Sequence, residues 1–449
     1  MVFALSNGSQ LSGIPFRLLT WTVNRRHRMY TNYQEYGGWD FRGENTKEFT
    51  HCFHIYPAMM IPQIARGLIQ RYGERGVALF DPYCGSGTSL VEGRLAGMKV
   101  YGTDLNPTAR LIARAKAISY DLESLEKELL SFRNNLAEEL ENADSLSGFS
   151  EPDYVTFERL NDWFPTKSIA EVCHCLVKIE NLKSVDHKNF IRIALSECLR
   201  LISFQRNGEF KLYRIKAEQR DSHYVELAKL LNDRLERNLA GLKSYLTKVD
   251  DSTKEVEVFG FNTVEEDGTE HLPVRPNLVV TSPPYGDSGT TVAYAQFSWL
   301  TNVWLGLNDQ APGALDRSLM GGRKTDVEPF GFEPMDSVLA AIHKIDPKRA
   351  SEVMHFYKEY LDSMNNVAKL VEDGGHVCYV VGNRTVKGHQ LPTDQFTAWA
   401  FEEAGFEYTT TYLRDIPNKR MPSKNSPTNE AGKKVATMHK EYIVVLKKK

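Results

Sequence analysis

The chain has 449 residues, 41% of them hydrophobic and 25% charged, which is ordinary for a soluble globular protein. A formal net charge of −3 excludes a general affinity for polyanions, so contact with nucleic acid would need a local basic patch. No apolar run approaches the roughly 18 residues of a membrane span, and the amino terminus lacks the basic start of a secretory signal. The six cysteines are scattered without a Cys-x-x-Cys pair, which fits a reducing cytoplasm.

Residues 1–50 are polar and aromatic, and they include the basic run Arg25-Arg26-His27-Arg28. They form either a surface arm or a contact with a nucleic-acid backbone, and the sequence leaves both interpretations open. The segment Phe53–Pro62 then leads into a helical pattern, Gln63–Tyr72, which directly precedes the most informative stretch of the chain.

That stretch combines a strand, a glycine-rich turn, a helix, a second strand and an acidic residue, in the order Val77–Phe80, Gly85–Gly87, Thr88–Ala96, Lys99–Thr103 and Asp104. Asp81 ends the first strand. Glycine lacks a Cβ, so the turn lets the backbone approach a ligand closely. An acidic residue after the second strand is where nucleotide-binding α/β sheets bind a ribose. Because the GxGxxG spacing and the P-loop lysine are both missing, the ligand need not carry phosphate.

The middle of the chain is mostly helical by pattern. Pro107 begins a helix that runs to Ser119, and three further helices are predicted by apolar spacing at Ile169–Ile179, Phe190–Leu201 and Tyr224–Leu246. We interpret residues 121–254 as an inserted helical subdomain. Its Cys173-His174-Cys175 run lies in a helical pattern with apolar neighbours, which favours packing over metal ligation. Six basic residues between Arg200 and Arg220 either neutralise phosphates or form a surface charge run.

The second fixed point is Ser282-Pro283-Pro284-Tyr285. Strands are predicted at Glu255–Phe259 and Asn277–Val280, so this run lies at the carboxyl end of a strand. Two consecutive prolines cannot continue a strand, and they make a stiff loop that holds a serine and an aromatic ring. Open α/β sheets bind ligands in the crevice at that edge.

The last third alternates helices and strands, with helices at Ala295–Leu305, Ser351–Val371 and Thr393–Ala404 and strands at His376–Val381, Tyr408–Arg414 and Glu441–Lys447. The final two strands should pair as an antiparallel hairpin. Between them lies a polar loop, 415–440, in the most basic part of the chain: ten Lys or Arg and three acidic residues lie between Arg414 and Lys449. We interpret this loop as a nucleic-acid contact. The long segment Gly286–Gly322 is suited to closing over a ligand.

The runs DPYCGSGT and GTDLNP, followed by TSPPY, resemble the S-adenosylmethionine-dependent DNA amino-methyltransferases. Ser-Pro-Pro-Tyr is typical of the cytosine-N4 branch, and FHIYPAMMIP (Phe53–Pro62) resembles an additional cofactor motif of that family. The resemblance covers roughly residues 50–118 and 255–449. It implies an α/β fold: a Rossmann-like doubly wound methyltransferase sheet with an antiparallel C-terminal hairpin and the inserted helical subdomain. The implied organisation is an arm (1–50), a cofactor half (51–120), the insert (121–254) and a catalytic half (255–449).

The resemblance also implies a set of site residues. Those expected to bind S-adenosyl-L-methionine are Phe53, Tyr56, Asp81, Cys84, Gly85, Gly87, Thr88, Asp104, Leu105 and Asn262. The catalytic residues are expected to be Ser282, Pro283, Pro284 and Tyr285, and no metal is required. At Asn262 the chain departs from the commoner Gly-Asp-Ala of relatives.

The implied function is transfer of a methyl group to the N4 amino group of cytosine in a short site of double-stranded DNA, after the base is turned out of the helix. Alternatives are adenine-N6 methylation and a catalytically silent DNA-binding scaffold. The resemblance leaves open a cognate restriction endonuclease as partner, and it implies a cytoplasmic, nucleoid-associated protein with no membrane partner. Three segments compete for reading the DNA: the insert, residues 286–350 and the loop 415–440.

Overall fold

The computed structural model describes residues 30, 33–34, 37–142, 152–153, 155, 159–206, 208, 210–250, 254–287, 292–307, 312–321, 328–416, 424–425, 435–436 and 438–449. The basic run Arg25-Arg26-His27-Arg28 and most of the loop 415–440 lie outside these residues. Within the described part of the chain, every helix is too short or too polar to cross a bilayer.

The strands are β1 to β12 in chain order: Tyr33–Gln34, Ala78–Asp81, Lys99–Thr103, Val256–Phe259, Leu278–Thr281, His376–Val381, Thr385–Val386, His389–Gln390, Phe406–Asp415, Lys424–Asn425, Val435–Ala436 and Lys440–Lys448. Eight of them form one sheet in the order β1-β9-β12-β6-β5-β2-β3-β4. All neighbours in it are parallel, except that β12 is antiparallel to both β6 and β9. The predicted C-terminal hairpin is therefore confirmed.

The helices are α1 to α13 in chain order: Pro62–Tyr72, Thr88–Leu95, Pro107–Ala117, Leu122–Arg133, Leu136–Glu141, Thr166–Glu180, Val185–Ile202, Leu227–Leu246, Tyr294–Trp304, Pro312–Ser318, Glu333–Ile345, Pro347–Leu370 and Thr393–Glu403. The predicted helices are present with ends shifted by a few residues. Helices α10 and α11 were not predicted, because the sequence between Gly306 and Ala350 offers no long apolar period.

Successive residues of the central strands contribute to two different hydrophobic clusters. Leu79 and Val280 belong to one cluster, and their chain neighbours Phe80 and Val279 belong to the other. Side chains alternate between the two faces of a strand, so the clusters lie on opposite faces of the sheet. Helices α1–α9 cover the first face and α11–α13 cover the second. Parallel strands buried on both faces in this way define a doubly wound α/β fold.

The helices α4–α8 extend the first of these clusters, since apolar residues such as Leu125, Val172 and Leu231 join it beside those of α1–α3. The division of the chain into domains stays a prediction. At the edge of the sheet formed by β1, the described part of residues 1–50 packs on the sheet. Strand β1 pairs with β9, and the buried Trp39 ring lies 5.1 Å from the ring of Tyr412.

A candidate active site at the carboxyl edge of the sheet

A cleft of about 1090 Å³, partly open to solvent, lies at the carboxyl ends of β2, β3, β4 and β5. The predicted site residues that line it are Tyr56, Asp81, Cys84, Gly85, Thr88, Asp104, Leu105, Asn262, Ser282 and Pro284. The two loops singled out in the sequence therefore share one cleft.

The glycine turn after β2 has the conformation that only glycine adopts readily. Gly85 and Gly87 have φ of 48° and 78°, and a Cβ on Gly87 would lie 2.8 Å from the Cα of Ala113. Gly87 is thus required for packing of α2 against α3, and it is not among the residues that line the cleft. Contact of Gly87 with the cofactor stays a prediction.

Asp104 accepts hydrogen bonds from two backbone N–H groups, those of Gly85 (3.0 Å) and Asn106 (2.8 Å). Asn106 caps α3 by accepting from the N–H of Thr108, so Asp104 is not the helix cap. The guanidinium of Arg110 fixes the adjoining backbone by donating to the carbonyl oxygen of Asp104 at 2.7 Å. Burial raises the pKa of the Asp104 carboxyl. A partly buried carboxylate held by two backbone N–H groups at the cleft can accept hydrogen bonds from the hydroxyls of a ligand.

Asp81 connects the glycine turn after β2 to the loop Ser282–Tyr285 that follows β5. It accepts from the N–H of Tyr83 (3.0 Å) and from the hydroxyls of Thr281 (2.5 Å) and Ser89. Burial raises the pKa of Asp81 to about 6, against the opposing effect of these donors. Thr281 directly precedes Ser282, so one side chain orders both rims of the cleft. No local pattern indicates this contact between residues 200 positions apart in the chain.

Tyr56 forms a wall of the cleft together with Tyr294 on α9. The two rings stack with centroids 6.0 Å apart, and the Tyr56 hydroxyl accepts from the Asn106 amide at 2.9 Å. The neighbouring Phe53 has a different environment: its ring is fully buried and packs edge-on against Phe190 at 5.4 Å. Phe53 is therefore a core residue outside the lining of the cleft, so of the two predicted residues only Tyr56 lies where a ligand could contact it.

The far end of the cleft is apolar and formed by the turn after β4. Leu105 and Phe261 line it with Asn262, whose side-chain oxygen accepts from the Val264 N–H at 3.1 Å. Phe261 stacks between other aromatic rings, including His271 at 4.6 Å. This end is suited to a flat heterocycle.

The loop Ser282–Tyr285 follows β5. The Ser282 hydroxyl donates to the Val380 carbonyl oxygen at 3.2 Å and lies 3.4 Å from the Tyr285 hydroxyl. Tyr285 donates to Glu441 (3.0 Å), which is paired with Arg414 at 2.7 Å. Burial raises the pKa of Tyr285 well above its ordinary value, so its hydroxyl stays protonated.

Pro283 and Tyr285 do not line the empty cleft, although Ser282, Pro284 and Gly286 do. The Tyr285 ring lies against Gly382, where a Cβ would be 2.8 Å from a ring carbon. Glu441, Arg414 and Gly382 were missed as site residues because each contacts the loop from a distant strand.

Lys116 holds the glycine turn Gly85–Gly87 by a hydrogen bond to its backbone. It is buried on α3, and its ammonium donates to the Ser86 carbonyl oxygen at 2.9 Å. Burial lowers the pKa of Lys116 to about 7.

Among the described residues, no group of three His, Cys, Asp or Glu side chains is arranged to hold a metal ion. Cys173 and Cys175 are buried within α6, and His174 contacts Glu139 at 2.9 Å.

Three features define a Rossmann-like methyltransferase. They are the strand order, the single antiparallel strand β12, and the glycine turn after β2 that faces Asp104 after β3. Residues 49–139 match the family model described as an RMKL-like methyltransferase domain. The chain is 36% identical over 429 residues to the type II methyltransferase M.MvaI of Kocuria varians, which covers 91% of this chain and 93% of that protein. The chain therefore belongs to the family of type II DNA methyltransferases, and its methyl donor is S-adenosylmethionine.

Two further similarities are more limited. The type II methyltransferase M.MjaII of Methanocaldococcus jannaschii is 37% identical over 95 residues, or 21% of this chain and 18% of that protein. The rRNA methyltransferase aviRa of Streptomyces viridochromogenes is 12% identical with a TM-score of 0.28, over 88% of both chains. The fold assignment rests on the strand order, not on that low score.

Proposed function

We propose that this protein methylates the N4 amino group of cytosine at a specific site in double-stranded DNA. The observation that carries the proposal is that Asp104 and Ser282 line one cleft. One loop can then hold a methyl donor while the other holds the amino group that receives the methyl.

The residues of the cleft fit S-adenosylmethionine, whose sulfonium supplies an electrophilic methyl group. Asp104 would accept hydrogen bonds from the two ribose hydroxyls, and the apolar end at Leu105 and Asn262 would receive the adenine. Asp81 and the loop at Gly85 would face the methionine amino and carboxylate groups. A carboxylate has about four acceptor sites, and Asp81 uses three of them within the protein, which leaves one for an ammonium group.

Ser282 supplies the acceptor that the chemistry requires. The amino nitrogen of cytosine is a weak nucleophile because its lone pair is delocalised into the ring. Acceptors placed around its N–H bonds favour the tetrahedral nitrogen and stabilise the positive charge that grows on it. Because the Ser282 hydroxyl proton is directed to the Val380 carbonyl, its lone pairs are available to an incoming amino group. The Pro283 carbonyl would be the second acceptor.

Tyr285 would stack on the cytosine after it leaves the duplex. Turning a base out costs a few kcal/mol, and stacking on an aromatic ring returns roughly 1–3 kcal/mol. The hydrogen bond from Tyr285 to Glu441 fixes the ring before the base arrives, so less ordering is needed at the moment of reaction.

Adenine-N6 methylation is the second candidate, since adenine presents the same kind of exocyclic amino group to Ser282. A cognate restriction endonuclease and a nucleoid-associated cytoplasmic location belong to the same proposal, as parts of a modification system. A silent scaffold is disfavoured by the intact acids and hydroxyls of the cleft.

The test is nucleoside mass spectrometry of unmethylated genomic DNA incubated with the protein and S-adenosylmethionine. The proposal predicts N4-methylcytosine, which Ser282→Ala should form at least roughly 100-fold more slowly. A control variant, Ser168→Ala, changes a serine buried on α6 and should leave the product unchanged. N6-methyladenine would overturn the choice of base, and DNA binding with no methylated nucleoside would favour the scaffold.

A further inference from the structure

Within the helical insert, residues 204–206 pair antiparallel with residues 213–215, and we call this pair, with the described residues between its two arms, the hairpin. Gln205 pairs with Arg214, and the N–H of Ile215 donates to the Phe204 carbonyl at 2.7 Å. Two aromatic residues of this hairpin are unusually exposed for their size: Phe210 is 48% exposed and Tyr213 is 47% exposed. Exposed apolar surface rimmed by polar residues marks interaction sites, and these two rings are candidates for such a surface.

The hairpin lies next to the wall of the active-site cleft. Phe210 contacts Phe297 on α9 with ring centroids 6.1 Å apart, and Phe297 contacts Tyr56 at 5.9 Å. Tyr56 lines the cleft. The N–H of Leu212 also donates to Gln296 on α9, which fixes the hairpin to this helix. The Phe210 ring is thus two aromatic contacts away from the cleft.

The basic residues of this region divide into two groups. Arg200 lies over the Phe297 ring at 4.2 Å, and Arg214 lies over Trp163 at 5.3 Å and pairs with Asp162. These two serve the fold. Lys211 and Lys216 are both exposed, and they are close in the chain to Phe210 and Tyr213. The described acids in the vicinity are Asp316, which accepts from the Ala295 N–H, together with Glu218 and Asp221.

We propose that this hairpin is a DNA-contacting element beside the site, in which Phe210 and Tyr213 stack on bases and Lys211 and Lys216 contact phosphates. Exposed aromatic rings interleaved with cations are the combination that binds unstacked nucleic acid. Removal of a base from the duplex leaves its partner and its neighbours unstacked, and these are the bases that such rings can receive. The inference rests on the proposed function, since it presupposes a DNA substrate.

The test measures binding of a duplex that the wild-type protein methylates, by fluorescence anisotropy with S-adenosylhomocysteine present. Phe210→Ala with Tyr213→Ala should weaken binding roughly 5- to 150-fold per ring that stacks. Lys127→Ala with Leu130→Ala, an exposed pair on α4, is the matched control and should bind as the wild type does. Cofactor affinity and melting temperature should be unchanged in both double variants.

The lysines are tested separately by salt dependence. Lys211→Ala with Lys216→Ala should reduce the slope of log K against log salt by about 2, because each phosphate contact contributes about 0.9. If the ring variant misfolds, Phe210→Leu with Tyr213→Leu keeps apolar bulk and removes only the aromatic faces.

The outcomes separate the two proposals. A wild-type protein that methylates no DNA base overturns the proposed function. A wild-type protein that does so, with ring and lysine variants that bind DNA within twofold of it at an unchanged salt slope, overturns this inference alone.

Discussion

Replacement of Ser282 by alanine is the sharpest test of the catalytic assignment. Its hydroxyl makes contacts of 3.2 Å to Val380 and 3.4 Å to Tyr285, which are long for O–H···O hydrogen bonds. Losing them should cost less than about 1 kcal/mol of folding free energy. Losing an acceptor aimed at developing charge costs about 2.7–4 kcal/mol, or a factor of roughly 10²–10³ in rate.

Ser282→Ala should therefore retain its melting temperature and its affinity for cofactor and DNA, while methyl transfer slows by at least roughly 100-fold. The assay is single-turnover transfer of labelled methyl with both substrates saturating, which separates chemistry from product release. Ser168→Ala controls for loss of a buried hydroxyl that lies away from the cleft. A single-turnover rate within about threefold of the wild type would refute the role of Ser282.

Three further predictions concern folding, each measured by urea denaturation. Glu441→Ala should lower the free energy of unfolding by about 3–5 kcal/mol, because the Arg414 side chain, only 5% exposed, loses the carboxylate that pairs with it. Glu441→Gln should lower it by less, and equal losses in the two variants would count against this reasoning. Gly87→Ala should lower the free energy of unfolding by more than Gly76→Ala does. Both glycines have positive φ, but only at Gly87 would a Cβ meet backbone, at 2.8 Å. Similar losses in the two variants would contradict the packing role of Gly87. The raised pKa of Asp81, about 6, means that the folded state binds the extra proton between pH 4 and 6. As the pH rises from 4 to 6, the free energy of unfolding should therefore fall by about 2 kcal/mol, and Asp81→Asn should remove this slope. A slope that persists in the variant would reject the assignment.

The two loops of the cleft were predictable because each follows an apolar strand. Carboxyl ends of parallel strands meet at one edge of a sheet, so Asp104 and Ser282 could be placed together from local pattern alone. The glycine turn was equally local, since only residues without a Cβ adopt φ of 48° and 78° readily.

Contacts that depend on distant parts of the chain could not be predicted. Phe53 and Tyr56 lie three positions apart in one motif, yet only Tyr56 enters the cleft, because Phe53 is directed into the core beside Phe190. The same holds for the Asp81–Thr281 bond.

The most direct measurement is a crystal structure of the protein with S-adenosylhomocysteine and a duplex that it methylates. We expect both ribose hydroxyls on the Asp104 carboxylate. We also expect a cytosine turned out of the helix, with its N4 within hydrogen-bonding distance of Ser282 and its ring against Tyr285. A cofactor ribose bound away from Asp104, or a target base held outside the Ser282 loop, would contradict the account.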